Sequence, residues 1–204
     1  MYTQITFTPA NANLTGFASN VTGAAFTLTA NSSGDSLAHQ VSIRNDSATN
    51  HSGKTVTLVG TDQDGVTQTE VVTGPAGSAT VESAKYFLTL TSATPSATIG
   101  ADTFDIGWVD EFATKTLPIN WRGGIGSLSI DITGTINYDL EQTFDDIQFK
   151  ASPFVWGVDN SATQAGVTTD LTVLYEGHPK AIRVKVNSYT DGAIVVLSYT
   201  QRDR

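Results

Sequence analysis

The sequence predicts an all-β protein, built as antiparallel β-sandwich or jelly-roll-like domains joined by long polar loops. Three observations carry this. Apolar residues recur at every second position over short runs, which is the period of a strand with one wet face. Thr and Ser dominate the alternate positions, and β-branched Thr fits a half-exposed pleated surface. Gly, Asn, Asp and Pro cluster between the runs, and no stretch of ordinary helix length shows an apolar stripe.

Taken from the start, Tyr2 to Thr8 alternates as a strand, and the Asn/Gly/Ser-rich stretch from Pro9 to Gly23 reads as a surface loop. Ala25 to Ala30 forms the second predicted strand and Leu37 to Arg44 the third. The clearest unit is Thr55 to Gly60, then Thr61-Asp-Gln-Asp-Gly65, then Val66 to Val72. Gly65 supplies the positive φ of a tight turn, and Asp62 and Asp64 bond local backbone donors, so a hairpin is expected. One strand is predicted from about Ala79 through Leu90, and another closes the half from Ala97 to Trp108, with Phe104, Ile106 and Trp108 on one face.

The pattern weakens between Val109 and Pro118, where Asp110-Glu111 opens a polar segment and Pro118 is a poor resident of a central strand. A boundary is therefore placed there, giving an N-terminal β-domain over 1–112 and a C-terminal β-sandwich over 113–204. Alternation restarts at Leu128, whose face is shared by Ile130 and Ile132 and, across Gly134, by Ile136 and Tyr138. Gln142 to Phe149 extends the pattern, Asp159 to Thr169 is a loop, and Leu171 to Tyr175 resumes a strand. Ala181 to Asn187, a turn at Ser188 to Gly192, and Ala193 to Thr200 read as a C-terminal hairpin, with Ile182, Val184 and Val186 inward and Arg183 and Lys185 outward.

Charge and composition limit the functions. The chain of 204 residues carries 20 acidic and 11 basic side chains, a net of −9, which repels phosphate backbones and argues against nucleic acid. Only 15% of residues are charged, so the surface is mainly hydroxyl and amide and suits contact with protein subunits or glycans. There is no Cys, which removes disulfides and thiolate metal sites. No run approaches twenty apolar residues and the first residues lack a secretion signal, so synthesis in a cytoplasm, without a membrane partner, is expected.

Residues with chemical potential have simpler uses. His39, His51 and His178 lack zinc-site spacing, and surface or turn roles are expected for them. Asp62-Gln-Asp-Gly65 resembles the start of a calcium loop but lacks its later ligands, and turn formation accounts for it. Asp139, Glu141, Asp145 and Asp146 offer carboxylates for a cation or an acid/base pair, yet a solvated face or subunit contact, with Asp145 and Asp146 meeting basic side chains, explains them better. No Gly-X-Ser-X-Gly elbow or phosphate-binding loop occurs. Among the aromatics, Trp108 and Phe154 are expected in the core and Trp121 over a seam. Trp121, Arg122 and Trp156, with Asp145 and Asp146, remain the candidate interface, because indole and guanidinium groups make protein hot spots or sugar platforms.

Several segments carry a family resemblance: Leu58-Val-Gly-Thr-Asp-Gln-Asp-Gly65, Thr69 to Gly77, Lys85-Tyr-Phe-Leu-Thr-Leu-Thr-Ser92, Ile132 to Tyr138 and Ala181 to Asn187. Together they resemble virion-associated structural proteins of tailed bacteriophages, over about half the chain. The resemblance implies a non-enzymatic virion component, made in the bacterial host cytoplasm and assembled into a head, neck or tail. It supplies no catalytic residue and no cofactor. Expected partners are other virion subunits, such as major capsid or head-tail proteins, and further copies of the chain. A capsid cement or decoration protein is the first reading and a head-to-tail component the next. The alternative from another class is a carbohydrate-binding β-sandwich using Trp121 or Trp156, and an enzyme using Asp145 and Asp146 comes third.

Overall fold

A computed structural model describes residues 2–119, 126–148, 154–158, 164–175 and 179–201. Fifteen strands follow in order: β1 (Tyr2–Phe7), β2 (Asn13–Val21), β3 (Ala38–Asn45), β4 (Thr55–Thr61), β5 (Thr67–Thr73), β6 (Thr80–Phe87), β7 (Thr89–Pro95), β8 (Phe104–Ala113), β9 (Leu117–Pro118), β10 (Gly126–Thr133), β11 (Ile136–Thr143), β12 (Gly157–Val158), β13 (Leu171–Tyr175), β14 (Ala181–Tyr189) and β15 (Ile194–Gln201). No helix occurs among the described residues, and the pairings between strands are antiparallel, as the alternation predicted.

The chain divides into two compact units. One is Ala10–Phe112; the other combines Met1–Pro9 with Ala113–Arg204. Residues 1–9, assigned from sequence to the N-terminal domain, thus belong with the C-terminal one. The cause is long-range: β1 pairs with β15 from Tyr2↔Thr200 to Phe7↔Val195, a partnership no local pattern encodes.

In unit Ala10–Phe112, one sheet contains β2, β8, β3 and β6 and a second has the order β5-β4-β7. Their apolar faces meet in one core, with Val41, Ile43, Phe87, Phe104 and Ile106 from the first and Val56, Leu58, Leu90 and Ala93 from the second. The predicted hairpin is β4–β5. Asp62 Oδ1 accepts the Asp64 and Val66 amides, each at 2.9 Å, and Gly65 takes φ +80°, which fixes the turn.

Four local expectations fail here. Part of the Pro9–Gly23 loop is β2, which pairs with β8 through two register shifts and buries Phe17 and Ala18; the interruptions erased its sequence period. Ala25–Ala30 is not a strand, although Phe26 is buried against Phe104. The single strand from Ala79 to Leu90 is two, β6 on β3 and β7 on β4, because the chain changes sheets at Leu88. The predicted closing strand runs later than expected, over Phe104–Ala113.

The second unit holds one sheet ordered β1-β15-β10-β13 and another containing β12, β11, β14 and β9. Leu128, Ile130, Val195, Leu197 and Tyr199 are buried in the first, and Ile136, Tyr138, Leu140, Ile182, Val184 and Val186 in the second. The predicted C-terminal hairpin is absent: β14 pairs with β11, whereas β15 pairs with β1 and β10. The run through Gly134 likewise splits, so that β10 and β11 lie in different sheets. Both connections are arches between layers, and the Thr190 amide donates to the Thr135 carbonyl at 3.0 Å, joining the two arches. The inward set Ile182, Val184 and Val186 is as predicted; the arch merely sends the two arms to different partners. β11 stops at Thr143, so Gln142 to Phe149 is not a continuous strand.

Candidate interface on the β11–β14 sheet

β11 and β14 run antiparallel with Asp139 opposite Lys185 and Glu141 opposite Arg183, so two acid/base pairs stand on one face of the sheet. The Arg183 Nε donates to Glu141 Oε2 at 2.6 Å, with each side chain only 11% exposed. Lys185 Nζ lies 3.7 Å from Asp139 Oδ2, and the other Asp139 oxygen accepts the Gly166 amide at 2.6 Å. Pairing of Glu141 with Val158 brings the short β12 alongside. That register sets Trp156 over Arg183, whose guanidinium carbon lies 4.4 Å from the indole centroid. Phe154 meets Trp156 edge-on, with centroids 6.4 Å apart and planes at 83°.

Two exposed apolar side chains stand on the segments beside this half-buried stack. Phe144 is 61% exposed and Val155 72%. Asp145 brings these segments together: its Oδ2 accepts the Val155 amide at 2.7 Å, and its own amide donates to Thr143 Oγ1 at 3.1 Å. Asp146 Oδ1 accepts the Gln148 amide at 3.1 Å. Among the sequence candidates, Trp156 and Asp145 therefore share one patch and Asp146 sits at its margin, bonding backbone amides. Arg183 and Lys185 pair with Glu141 and Asp139. Trp121 and Arg122 lie outside the described residues. Phe154, expected in the core, is half-buried at the patch, while Trp108 is buried and its Nε1 donates to the Asn11 carbonyl at 3.0 Å.

Arg183, Phe144 and Val155 did not stand out as interface residues in the sequence. Arg183 was legible only as an outward position on a strand, and the contact that gives it meaning depends on the pairing of β11 with β12.

The histidines depart from the surface roles expected of them. His39 is buried, with Nε2 2.7 Å from Asp35 Oδ2 and Nδ1 3.2 Å from the Val109 carbonyl. Asp35 Oδ2 also accepts the Ala10 amide at 2.7 Å, and Oδ1 accepts Ser33 Oγ at 2.6 Å and the Leu37 amide at 3.0 Å. Burial pushes the Asp35 carboxyl up, but the bonds from His39, Ala10 and Ser33 and the His39 charge outweigh it and bring it down to about 2. His51 is buried too, with Nε2 2.9 Å from Asp102 Oδ2 and Nδ1 3.1 Å from Lys54 Nζ. His178 lies outside the described residues. Among the described residues no group of three His, Asp or Glu side chains is placed to hold a metal ion, and no helix is long and apolar enough to cross a membrane.

No protein-family model and no curated protein matches the chain. Among solved structures, the chain matches the major capsid protein P2 from bacteriophage PM2 at 11% identity, over 99% of each chain, with a TM-score of 0.20. A score of that size is below what a shared fold gives, and no functional weight rests on it.

Proposed function

We propose that the protein is a non-enzymatic structural component of a bacteriophage virion, acting as a capsid cement or decoration protein or as a head-to-tail assembly component. The sequence resemblance over Thr55–Thr94, Ile132–Tyr138 and Ala181–Asn187 supports the virion context. The observation that carries the assembly role is the patch around Trp156: exposed Phe144 and Val155 flank a Trp–Arg stack held on a rigid two-stranded support. Buried interface centres are enriched in these residue types, and a side chain already fixed by Arg183 loses little freedom when a partner covers it. The two exposed apolar groups fit a partner subunit that supplies a complementary apolar pocket.

The carbohydrate-binding alternative needs a free aromatic platform. One face of the Trp156 indole is occupied by Arg183, which leaves the other ring face for a sugar. The exposed aliphatic Val155 beside it offers a sugar no hydrogen bond, which favours a protein partner.

The test is quantitative peptide mass spectrometry of purified particles, normalised to the portal protein, for the wild type and for Phe144→Ala/Val155→Ser. Hundreds of copies per particle assign a capsid or tail-tube position, and about six to twelve assign a neck or baseplate position, given the symmetry of those assemblies. In either case the double variant, whose replaced side chains are exposed and whose folding is checked by far-UV circular dichroism, is depleted at least tenfold. Absence of the wild-type chain from particles overturns the proposal in favour of the free carbohydrate-binding module. Full incorporation of the variant overturns the role of the patch.

A further inference from the structure

The two units treat their sheet edges differently. In unit Ala10–Phe112 the edge strands β5 and β6 cap one another through side chains. Both Glu70 oxygens accept backbone amides, from Ala84 at 2.7 Å and Lys85 at 2.9 Å. Gln68 Nε2 donates to the Tyr86 carbonyl at 2.5 Å, and Lys85 Nζ donates to the Thr69 carbonyl at 2.7 Å. Charged and amide groups at an edge occupy the backbone sites that a foreign strand would use.

The β1 edge carries none of these devices. Its residues, Tyr-Thr-Gln-Ile-Thr-Phe, include no charge, Pro or Gly, and its six pairs with β15 continue without a bulge. Among the described residues, no strand lies on its other side. Its inward row is Thr3, Ile5 and Phe7, level with Tyr199, Leu197 and Val195 on β15. Those three β15 residues are at most 2% exposed, yet Ile5 is 36% exposed. The apolar layer of the unit therefore stays open along β1. One further strand would cover Ile5 and bond the outward backbone groups of β1 together.

We propose that this edge pairs with β1 of a second copy of the chain, antiparallel about a two-fold axis through Ile5. In that register Ile5 faces Ile5 of the other copy and Thr3 faces Phe7, so inward residues meet inward residues and two open apolar layers become continuous. The absence of charge on β1 is what makes the strand self-complementary, because no like charges oppose one another across the axis. The pairing is isologous and closes at a dimer. It uses a different surface from the Trp156 patch and does not depend on a virion setting.

The experiment is performed on the full chain in solution. Sedimentation velocity from about 1 to 100 µM should show a monomer–dimer equilibrium. Ile5→Lys should raise the dissociation constant at least tenfold with the far-UV circular dichroism unchanged. Because the chain has no Cys, single-cysteine variants report pairing directly. Under mild oxidation Ile5→Cys should form a covalent dimer much faster than Thr69→Cys, an exposed position on the capped β5 edge, since two residues opposed on paired strands have the Cα separation a disulfide needs. If Ile5→Lys does not fold, the cysteine rates alone decide. A wild type that stays monomeric throughout, a dimer indifferent to Ile5→Lys, or equal crosslinking of the two cysteine variants overturns the proposal.

Discussion

Replacing Asp35 by Asn should destabilise unit Ala10–Phe112 in a pH-dependent way, and the structure sets both the size and the sign. The Asp35 carboxylate accepts four hydrogen bonds, from Ala10, Ser33, Leu37 and His39, with its side chain 6% exposed. A carboxyl held at about 2 instead of the ordinary 3.8 contributes roughly 2 kcal/mol, allowing for the water that still reaches the loop. Because the folded value is depressed, the contribution is complete above about pH 5 and is lost as pH falls from about 4 towards 2; at pH 3 about half remains. Asn also directs an amide N–H at donors, adding a cost that does not vary with pH. The assay is urea unfolding at pH 7, 5 and 3, followed by Trp108 fluorescence in a Trp121→Phe/Trp156→Phe background. The wild-type advantage should be about 2–3 kcal/mol at pH 7 and at least 1 kcal/mol smaller at pH 3. A difference that is constant with pH, or below about 0.5 kcal/mol throughout, would refute the assignment of this carboxylate as the tie between Ala10, β3 and the 33–37 loop.

Further substitutions probe the other supports. Gly60→Ala places a methyl 1.9 Å from the Thr89 carbonyl oxygen, so β7 must move off β4; a loss of about 2–3 kcal/mol is expected in the same Trp108 assay, and a neutral result would contradict the close approach of the strands. Glu70→Ala removes the acceptor of two β6 amides; hydrogen exchange at Ala84 and Lys85 should accelerate at least tenfold, with unchanged rates excluding the edge-capping role. Arg183→Ala leaves the largely buried Glu141 carboxylate without its guanidinium and should cost about 3 kcal/mol, whereas Arg183→Ala/Glu141→Ala should cost less than the single change; additive losses would show that the two side chains are not coupled.

The fold class was legible because it rests on the two-residue period, and that period survives wherever a strand has one wet face, as in β4, β10 and β14. Partner choice was not legible. Ile182, Val184 and Val186 show which way β14 faces, but a tight hairpin and an arch use the same polar, Gly-containing connection, and only packing between layers separates them. β2 escaped notice because its register breaks twice against β8, which removes the alternation. The buried histidines escaped for a related reason: His39 is made acceptable in the interior by Asp35 and by a carbonyl on β8 seventy residues away. At the interface, Trp156 was visible as a residue type suited to contact. Its support by Arg183 and its apolar flank needed the pairing of β11 with β12 and β14, which sequence spacing does not encode.

The partnership of β1 with β15 imposes an order on biosynthesis. Tyr2 pairs with Thr200, so its strand must remain single while the intervening chain is translated, roughly 10–40 s at about 5–20 residues per second. Unit Ala10–Phe112, by contrast, is contiguous and can close long before β15 is synthesised. Refolding should therefore be biphasic, with Trp108 reporting an early phase and β1 docking last. In the interval the free strand is open to capture by a neighbouring nascent chain on the same polysome, which would make strand exchange between copies a co-translational hazard as well as a route to assembly.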